Sequence, residues 1–168
     1  ITMNICEYIK INNLPHKVLE DGRIEQVGVY VIINKGITCL KNFVQNGDLD
    51  LSCNEITSLE DFVQNGKLNV SYNRITSFKN FIQNGTLILR YNKIKYIKGF
   101  IQNGCHLDLS SNEIESLEEF VQNGTLNLSH NKITSLEEFV QNGDLHVYNN
   151  KITSLEYFVQ NGDLYASN

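Results

Sequence analysis

The stretch that decides the fold is residues 48–66, DLDLSCNEITSLEDFVQNG. Closely similar stretches follow it, and each of them ends in Gln-Asn-Gly. This tripeptide recurs every 19 residues, with a single step of 20. Its starting residues are Gln45, Gln64, Gln83, Gln102, Gln122, Gln141 and Gln160. Self-similarity at so short a fixed period is typical of a solenoid, in which each unit forms one coil and stacks on its neighbours.

Within a unit, two kinds of apolar spacing predict two kinds of local structure. Leu49 and Leu51 alternate with polar residues, which predicts a short β-strand with both leucines facing inward. Further along, Leu59, Phe62 and Val63 stand at i, i+3 and i+4. That spacing favours one helical or 3₁₀ turn with all three side chains inward.

Each full unit also places an asparagine three residues after the second inward position of its strand. An amide side chain at such a corner can bond backbone groups of its own coil and of the neighbouring coil. We therefore expect an internal ladder of Asn54, Asn73, Asn92, Asn112, Asn131 and Asn150. At the end of the unit, Gly47 is expected to reverse the chain by taking a positive φ.

Together these elements predict an α/β solenoid that is mostly β, with shallow curvature. Parallel strands would lie on one face, and short 3₁₀ or helical turns on the other. The solenoid would span residues 28–168, with a degenerate unit at 28–47, six full units at 48–162 and a truncated unit at 163–168. Residues 1–27 would form an N-terminal cap. This cap would contain a helix from Asn4 to about Ile11 and a hairpin around Asp21-Gly22.

The pattern Leu49-x-Leu51-x-x-Asn54-x-Ile56 resembles the core segment of leucine-rich repeats. The resemblance covers about 135 of the 168 residues. Two features depart from the family: the 19-residue unit is shorter than the usual 20–29 residues, and Asn46 stands where the family has its first leucine. The resemblance implies a binding module that presents its strand face to a protein partner.

Residues 135–143, Ser-Leu-Glu-Glu-Phe-Val-Gln-Asn-Gly, also resemble short leucine-rich repeats encoded by large DNA viruses that infect amoebae. This second resemblance covers only the outer part of the unit. It implies either a host protein as the target or a role as a virion component.

Composition excludes several classes of protein. The formal net charge of −5 argues against a general nucleic-acid binder. No apolar run approaches the ~18 residues that a membrane span needs, so we expect no membrane partner. Cys6, Cys39, Cys53 and Cys105 show no C-x-x-C spacing, which favours free thiols in an intracellular, reducing compartment.

The sequence contains no constellation that points to catalysis. His16, His106, His130 and His146 fall in different units, and neither a nucleophile elbow nor a phosphate loop is present. Glu118-Glu119 and Glu137-Glu138 are paired carboxylates, but they belong to the outer, solvated side of the coil. We therefore expect no catalytic residues, no metal site and no cofactor.

The outward strand positions carry mostly Ser, Asn and Asp, and one region differs from the rest. Its side chains are aromatic, β-branched and basic, the types that dominate protein-binding hot spots. The predicted partner-binding residues are Tyr72, Arg74, Ile88, Arg90, Tyr91 and Lys93.

Charge is concentrated in the same region. Residues 67–98 contain seven basic and no acidic residues, whereas residues 1–66 carry a net −4 and residues 99–168 a net −8. We therefore expect a non-enzymatic protein-interaction module whose partner is an acidic protein surface. One alternative is a self-assembling structural component, associating through charge or through the C-terminal strand edge. Nucleic-acid binding ranks lower, because the acidic flanks would repel a polyanion, and drift among repeats would leave the band without function.

Overall fold

The computed structural model describes residues 2–98, 100 and 105–167, so the Gln-Asn-Gly of residues 102–104 lies outside the described residues. The chain is a mostly-β parallel solenoid of about 7 turns. In chain order its elements are β1 (Met3–Asn4), α1 (Ile5–Ile11), β2 (Lys17–Val18), β3 (Ile24–Val27), β4 (Tyr30–Val31), β5 (Ile37–Cys39), β6 (Phe43–Asn46), β7 (Leu49–Asp50), β8 (Phe62–Gln64), β9 (Leu68–Asn69), β10 (Ile82–Gln83), β11 (Leu87–Ile88), β12 (His106–Asp108), β13 (Thr125–Asn127), β14 (Val140–Gln141), β15 (Leu145–His146), β16 (Val159–Gln160) and β17 (Leu164–Tyr165).

The Leu-x-Leu segments form an eight-stranded sheet, in the order β17-β15-β13-β12-β11-β9-β7-β4. All its pairings are parallel, and equivalent residues of successive coils lie side by side, as Leu49, Leu68 and Leu87 do. These leucines are buried in the core. The predicted fold class is confirmed, and the predicted strand face is this sheet.

The opposite side of the coil differs from the sequence prediction. Phe62 to Gln64 form strand β8 instead of a helical turn. Strand β8 lies between β6 and β10 in a second sheet and is parallel to both. Burial alternates along β8: Phe62 and Gln64 are buried, while Val63 is only half-buried. In a later coil the equivalent Val121 is 64% exposed. The expectation that Val63 faces inward was therefore wrong.

A β-turn explains how the i, i+3, i+4 spacing arises without a helix. The Phe120 N–H donates to the Leu117 carbonyl oxygen at 3.0 Å, which closes a four-residue turn. The third residue of this turn, Glu119, has a φ of 57°. Residues in a 3₁₀ turn have negative φ, so the segment is not a 3₁₀ turn. The chain then continues extended, because a parallel neighbour on the next coil satisfies its backbone groups, as Phe43 pairs in register with Phe62.

Two columns of stacked side chains fill the interior on this side. The phenylalanine rings of successive coils lie parallel, with centroids 5.6 Å apart for Phe43 and Phe62 and 5.7 Å apart for Phe62 and Phe81. Beside them runs a glutamine column. Gln64 is fully buried, and its Nε2 donates to the carbonyl oxygen of Gly47 on the preceding coil at 2.7 Å. These columns join neighbouring coils by both stacking and hydrogen bonds.

The predicted asparagine ladder is confirmed. Asn92 is buried; its Oδ1 accepts from the Ile75 N–H at 2.9 Å, and its Nδ2 donates to the Val70 and Leu89 carbonyl oxygens, both at 3.0 Å. Ile75 and Val70 belong to the preceding coil, and Leu89 belongs to the same coil. Equivalent bonds are made by Asn54, Asn73, Asn112, Asn131 and Asn150.

The N-terminal segment covers one end of the core. Helix α1 begins after Asn4, whose side chain accepts from the Cys6 N–H at 2.7 Å, and it buries Ile5 and Ile9. Strands β2 and β3 form the expected antiparallel hairpin, and β3 also pairs in parallel with β6. The hairpin is thus continuous with the second sheet. Within the described residues, no helix has the length and apolar character that crossing a membrane requires.

Candidate partner-binding face

The six predicted partner-binding residues lie on two adjacent coils, those of β9 and β11. We call this set the aromatic–basic patch: Tyr72, Arg74, Ile88, Arg90, Tyr91 and Lys93. The two coils are joined at the patch itself, since the Tyr72 N–H donates to the Arg90 carbonyl oxygen at 3.0 Å. The geometry therefore brings together the residues that the sequence singled out.

The two tyrosines of the patch form a stacked, exposed pair. Their ring centroids are 4.5 Å apart, and the ring planes differ by 10°. Tyr72 remains 50% exposed and Tyr91 48%. Both residues adopt the left-handed backbone conformation, with φ of 55° and 54°. This conformation is uncommon for a residue with a bulky side chain. The pair therefore presents a broad aromatic surface on backbone that is hydrogen-bonded between the two coils.

The backbone itself does not require an aromatic residue at these positions. Every full coil has the same left-handed residue just before its ladder asparagine, and Cys53, Ser111 and Asn149 fill it elsewhere. Asparagine is the side chain that this conformation favours among residues other than glycine. Tyr72 and Tyr91 thus occupy sites where smaller residues meet the same structural need.

The cations of the patch lie beside carboxylates of neighbouring coils, which the charge count along the sequence could not show. Nitrogen–oxygen distances are 3.6 Å for Arg74 to Glu55, 3.9 Å for Arg90 to Asp108, and 3.9 Å for Lys93 to Glu113. All three cationic side chains are largely exposed, so such pairs are weak. The patch is therefore less positive than residues 67–98 imply, and its cations can exchange partners.

Two other outward positions differ from expectation. Ile88 is half-buried, in register between Asn69 and Asp108. The serines expected to line the face are buried. The Ser71 Oγ turns back onto its own strand and donates to Asn69 Oδ1 at 2.7 Å, whereas the buried Ser129 Oγ has no hydrogen-bond partner. The buried serines are Ser52, Ser71, Ser110 and Ser129.

A second aromatic pair lies farther along the eight-stranded sheet. His146 and Tyr165 are paired in register on β15 and β17, and their ring centroids are 4.4 Å apart. The carboxylate of Asp163 beside the Tyr165 hydroxyl raises the pKa of that tyrosine. Both side chains stand at outward positions of their strands. Alignment of the repeats could have revealed this pair, but it lacks the arginines that surround the tyrosine stack.

We next consider metal binding and cysteine chemistry among the described residues. Among them, no group of three His, Cys, Asp or Glu side chains is arranged to hold a metal ion. All four cysteines carry free thiols. Cys6 lies in helix α1 of the cap and is partly buried, and this burial raises its thiol pKa to about 11.

The thiols should therefore react at different rates. At about pH 8 the thiolate fraction of Cys6 is roughly a hundredfold below that of a thiol with the ordinary value of 9.0. Cys53 and Cys105 are exposed. We expect iodoacetamide to alkylate these two cysteines first and Cys6 far more slowly, as followed by mass spectrometry of peptides from the folded protein. Equal rates for Cys6 and Cys53 would contradict the buried position of Cys6.

Comparison with protein-family models, with curated proteins and with solved structures gave no match to this chain.

Proposed function

We propose that this chain is a short-repeat, leucine-rich-repeat-type protein-interaction module without enzymatic activity. Its aromatic–basic patch would bind an acidic segment of a protein partner. The observation that carries the proposal is the exposed Tyr72–Tyr91 stack, which lies among Arg74, Arg90 and Lys93.

The physical reasons follow from the patch geometry. Tyrosine and arginine are the side chains most enriched among residues that dominate protein-binding energy. Here the solenoid holds them in place before binding, so little conformational entropy is lost when a partner docks. The cations add steering toward an acidic surface, because a carboxylate of the partner can replace their present weak pairing with Glu55, Asp108 and Glu113.

A displayed random peptide library tests the proposal directly. We expect selection on the wild-type protein to enrich acidic peptides. Their affinity for the double variant Arg90→Ser, Tyr91→Ser should fall by about tenfold or more, the size of effect typical of hot-spot residues. Serine is the appropriate replacement because Ser110 and Ser111 occupy the same two positions in the next coil. Fluorescence anisotropy of the labelled peptides measures the affinities.

The chain offers a matched control at a distance from the patch. The double variant Lys151→Ser, Tyr157→Ser also removes one cation and one exposed tyrosine, and Tyr157 shares the left-handed backbone, with φ 56°. We expect it to bind the selected peptides like wild type. Equal losses in both double variants, or none in either, would refute the patch as the binding site.

The same protein variants also test the two alternative functions, self-association and nucleic-acid binding. Self-association through the solenoid would appear in static light scattering as a mass that grows with protein concentration, and the Arg90→Ser, Tyr91→Ser variant would test whether charge drives it. Nucleic-acid binding would appear as anisotropy of a labelled single-stranded oligonucleotide that falls steeply with added salt. Either result in place of selected acidic peptides would overturn the proposal.

A further inference from the structure

The column of outward residues that contains the tyrosine stack continues past Tyr91 to a gap, which is a position with a small side chain. The next two coils place Ser111 and then His130 in the same column as Tyr91. The column is regular, because Tyr91 N–H donates to the Ser110 carbonyl and Ser111 N–H to the Ser129 carbonyl, at 3.3 and 2.9 Å. A small side chain thus separates two rings along one line of the surface.

The backbone gives these side chains a common direction. Tyr91, Ser111 and His130 have φ of 54°, 56° and 58°. Successive parallel coils stand about 4.8 Å apart, so Tyr91 and His130 are separated by about 10 Å. A planar ring above Ser111 would lie about 5 Å from each of its neighbours, a favourable distance for stacked aromatic groups. The Tyr72–Tyr91 pair already shows this spacing between adjacent coils, at 4.5 Å.

His130, on the far side of the gap, is close to the side chain of the next residue in the column. Asn149, the next residue in the column, places its Nδ2 3.4 Å from His130 Nε2. His130 and Tyr91 are both exposed, and the stack with Tyr72 occupies only one face of the Tyr91 ring. Ser111 forms the floor between them and is only half-buried.

Charged side chains edge the gap on one side. Two residues beyond Tyr91, Ser111 and His130 stand Lys93, Glu113 and Lys132, respectively. Glu113 lies between the two lysines, at 3.9 Å from Lys93 and 3.1 Å from Lys132. The hydrogen bond from Lys132 lowers the pKa of Glu113, so this carboxylate stays ionised. An ammonium group has three donors, so each lysine can bind a further carboxylate while keeping Glu113.

We propose that the gap above Ser111, between Tyr91 and His130, is a slot that receives one aromatic side chain from an acidic protein segment. The proposal rests on the proposed function and narrows it to a ligand class. An aromatic ring would complete the stack from Tyr72 to His130, while carboxylates beside it would reach Lys93 and Lys132. An acidic peptide is favoured over a nucleic acid because a short segment needs only the carboxylates that Lys93 and Lys132 can bind. A nucleic-acid strand would instead carry one phosphate per nucleotide across coils whose net charge beyond residue 98 is −8.

The absence of tryptophan from this chain allows a direct test. The probe is a short synthetic peptide with one tryptophan flanked on both sides by aspartates and glutamates. When it is excited at the red edge of its absorption, where the eight tyrosines of the protein do not absorb, its tryptophan emission and anisotropy report binding. A second peptide has leucine in place of tryptophan and carries a terminal dye. We expect the tryptophan peptide to bind the wild-type protein with a change in emission, and the leucine peptide to bind about tenfold more weakly.

The decisive variant is Ser111→Tyr, which fills the slot from within. Tyr72 and Tyr91 adopt the same left-handed backbone at the equivalent position, so the fold should accept it. We expect about a tenfold or greater loss of affinity for the tryptophan peptide, whereas Ser111→Ala should bind like wild type. If Ser111→Tyr has an altered urea midpoint, Ser111→His replaces it, since His130 already occupies the equivalent position.

The outcomes separate the slot from the wider patch. If Ser111→Tyr binds the tryptophan peptide as wild type does while Arg90→Ser, Tyr91→Ser loses it, the slot is wrong and the patch stands. Equal affinity for the leucine and tryptophan peptides also overturns the slot. Binding of a single-stranded oligonucleotide, lost in Ser111→Tyr, would overturn the acidic peptide as its ligand. If neither peptide binds and no library peptide is selected, both proposals fail.

Discussion

Replacing Gly66 with alanine should destabilise the solenoid by about 3 kcal/mol or more, the upper range for overpacking a folded interior. A Cβ atom at this position would lie 2.5 Å from the Gly47 carbonyl carbon and 2.9 Å from the Asp48 nitrogen, closer than the 3.0 Å that real Cβ atoms keep. Both atoms are backbone of the preceding coil. They cannot move without stretching the flanking hydrogen bond from Leu49 N–H to the Lys67 carbonyl, which is 2.8 Å long.

Urea denaturation followed by far-ultraviolet circular dichroism measures this effect. Gly36→Ala is the control, because a Cβ there meets nothing within 4 Å and the only penalty is its φ of 69°. That penalty is about 1–2 kcal/mol. A Gly66→Ala protein with the urea midpoint of wild type would show that adjacent coils do not approach as closely as described.

Replacing Asn92 with alanine should have the second large effect. The buried Ile75 N–H would lose its partner, and the carbonyl oxygens of Val70 and Leu89 would each lose one of two amide donors. Asn73 would still donate to Val70, and Asn112 to Leu89. Each unsatisfied buried group costs on the order of 1–3 kcal/mol. We therefore expect Asn92→Ala to lower the free energy of unfolding by about 1–3 kcal/mol, measured by the same urea titration.

An exposed asparagine of the same chain supplies the control. Asn142 donates to Asn123 Oδ1 at 2.8 Å and accepts from Asn161 at 2.8 Å, and both bonds are open to solvent. Water replaces such bonds, so Asn142→Ala should cost less than about 1 kcal/mol. If Asn92→Ala proved no more harmful than Asn142→Ala, the internal ladder would not be a source of stability.

The features predictable from sequence are those that each repeat specifies by itself. Leu49 and Leu51 alternate with polar residues, so the strand could be predicted. A buried corner needs an amide side chain to bond its backbone groups, so the ladder position of Asn54 could be predicted as well. Val63 was misplaced because apolar residues at i, i+3 and i+4 fit a helical turn as well as a turn followed by a strand. Gly47 was expected to take a positive φ, and its φ is 145°. At the equivalent Gly66 glycine is required by the close approach of the preceding coil, which no single repeat reveals.

In the candidate site too, features carried by single repeats were predictable, and features that arise from the stacking of coils were not. Tyr72, Arg90 and Tyr91 stand out because they break the repeat pattern, and the fold brings them together as expected. The pairing of Arg90 with Asp108 was missed because the two residues meet only when coils stack. The slot above Ser111 was missed for a related reason: its floor is an unremarkable serine, and it becomes a site only through its neighbours in the column.

One measurement tests the patch as the binding face most directly. Backbone amide shifts of isotopically labelled protein would be followed by nuclear magnetic resonance during titration with a selected acidic peptide. We predict that the largest changes fall on the coils of Tyr72 and Tyr91 and extend to Ser111. The second sheet around Val63 and the two-stranded sheet of Val140 should stay unchanged. Changes centred on the second sheet, or spread evenly over all coils, would contradict the assignment of the aromatic–basic patch as the binding face.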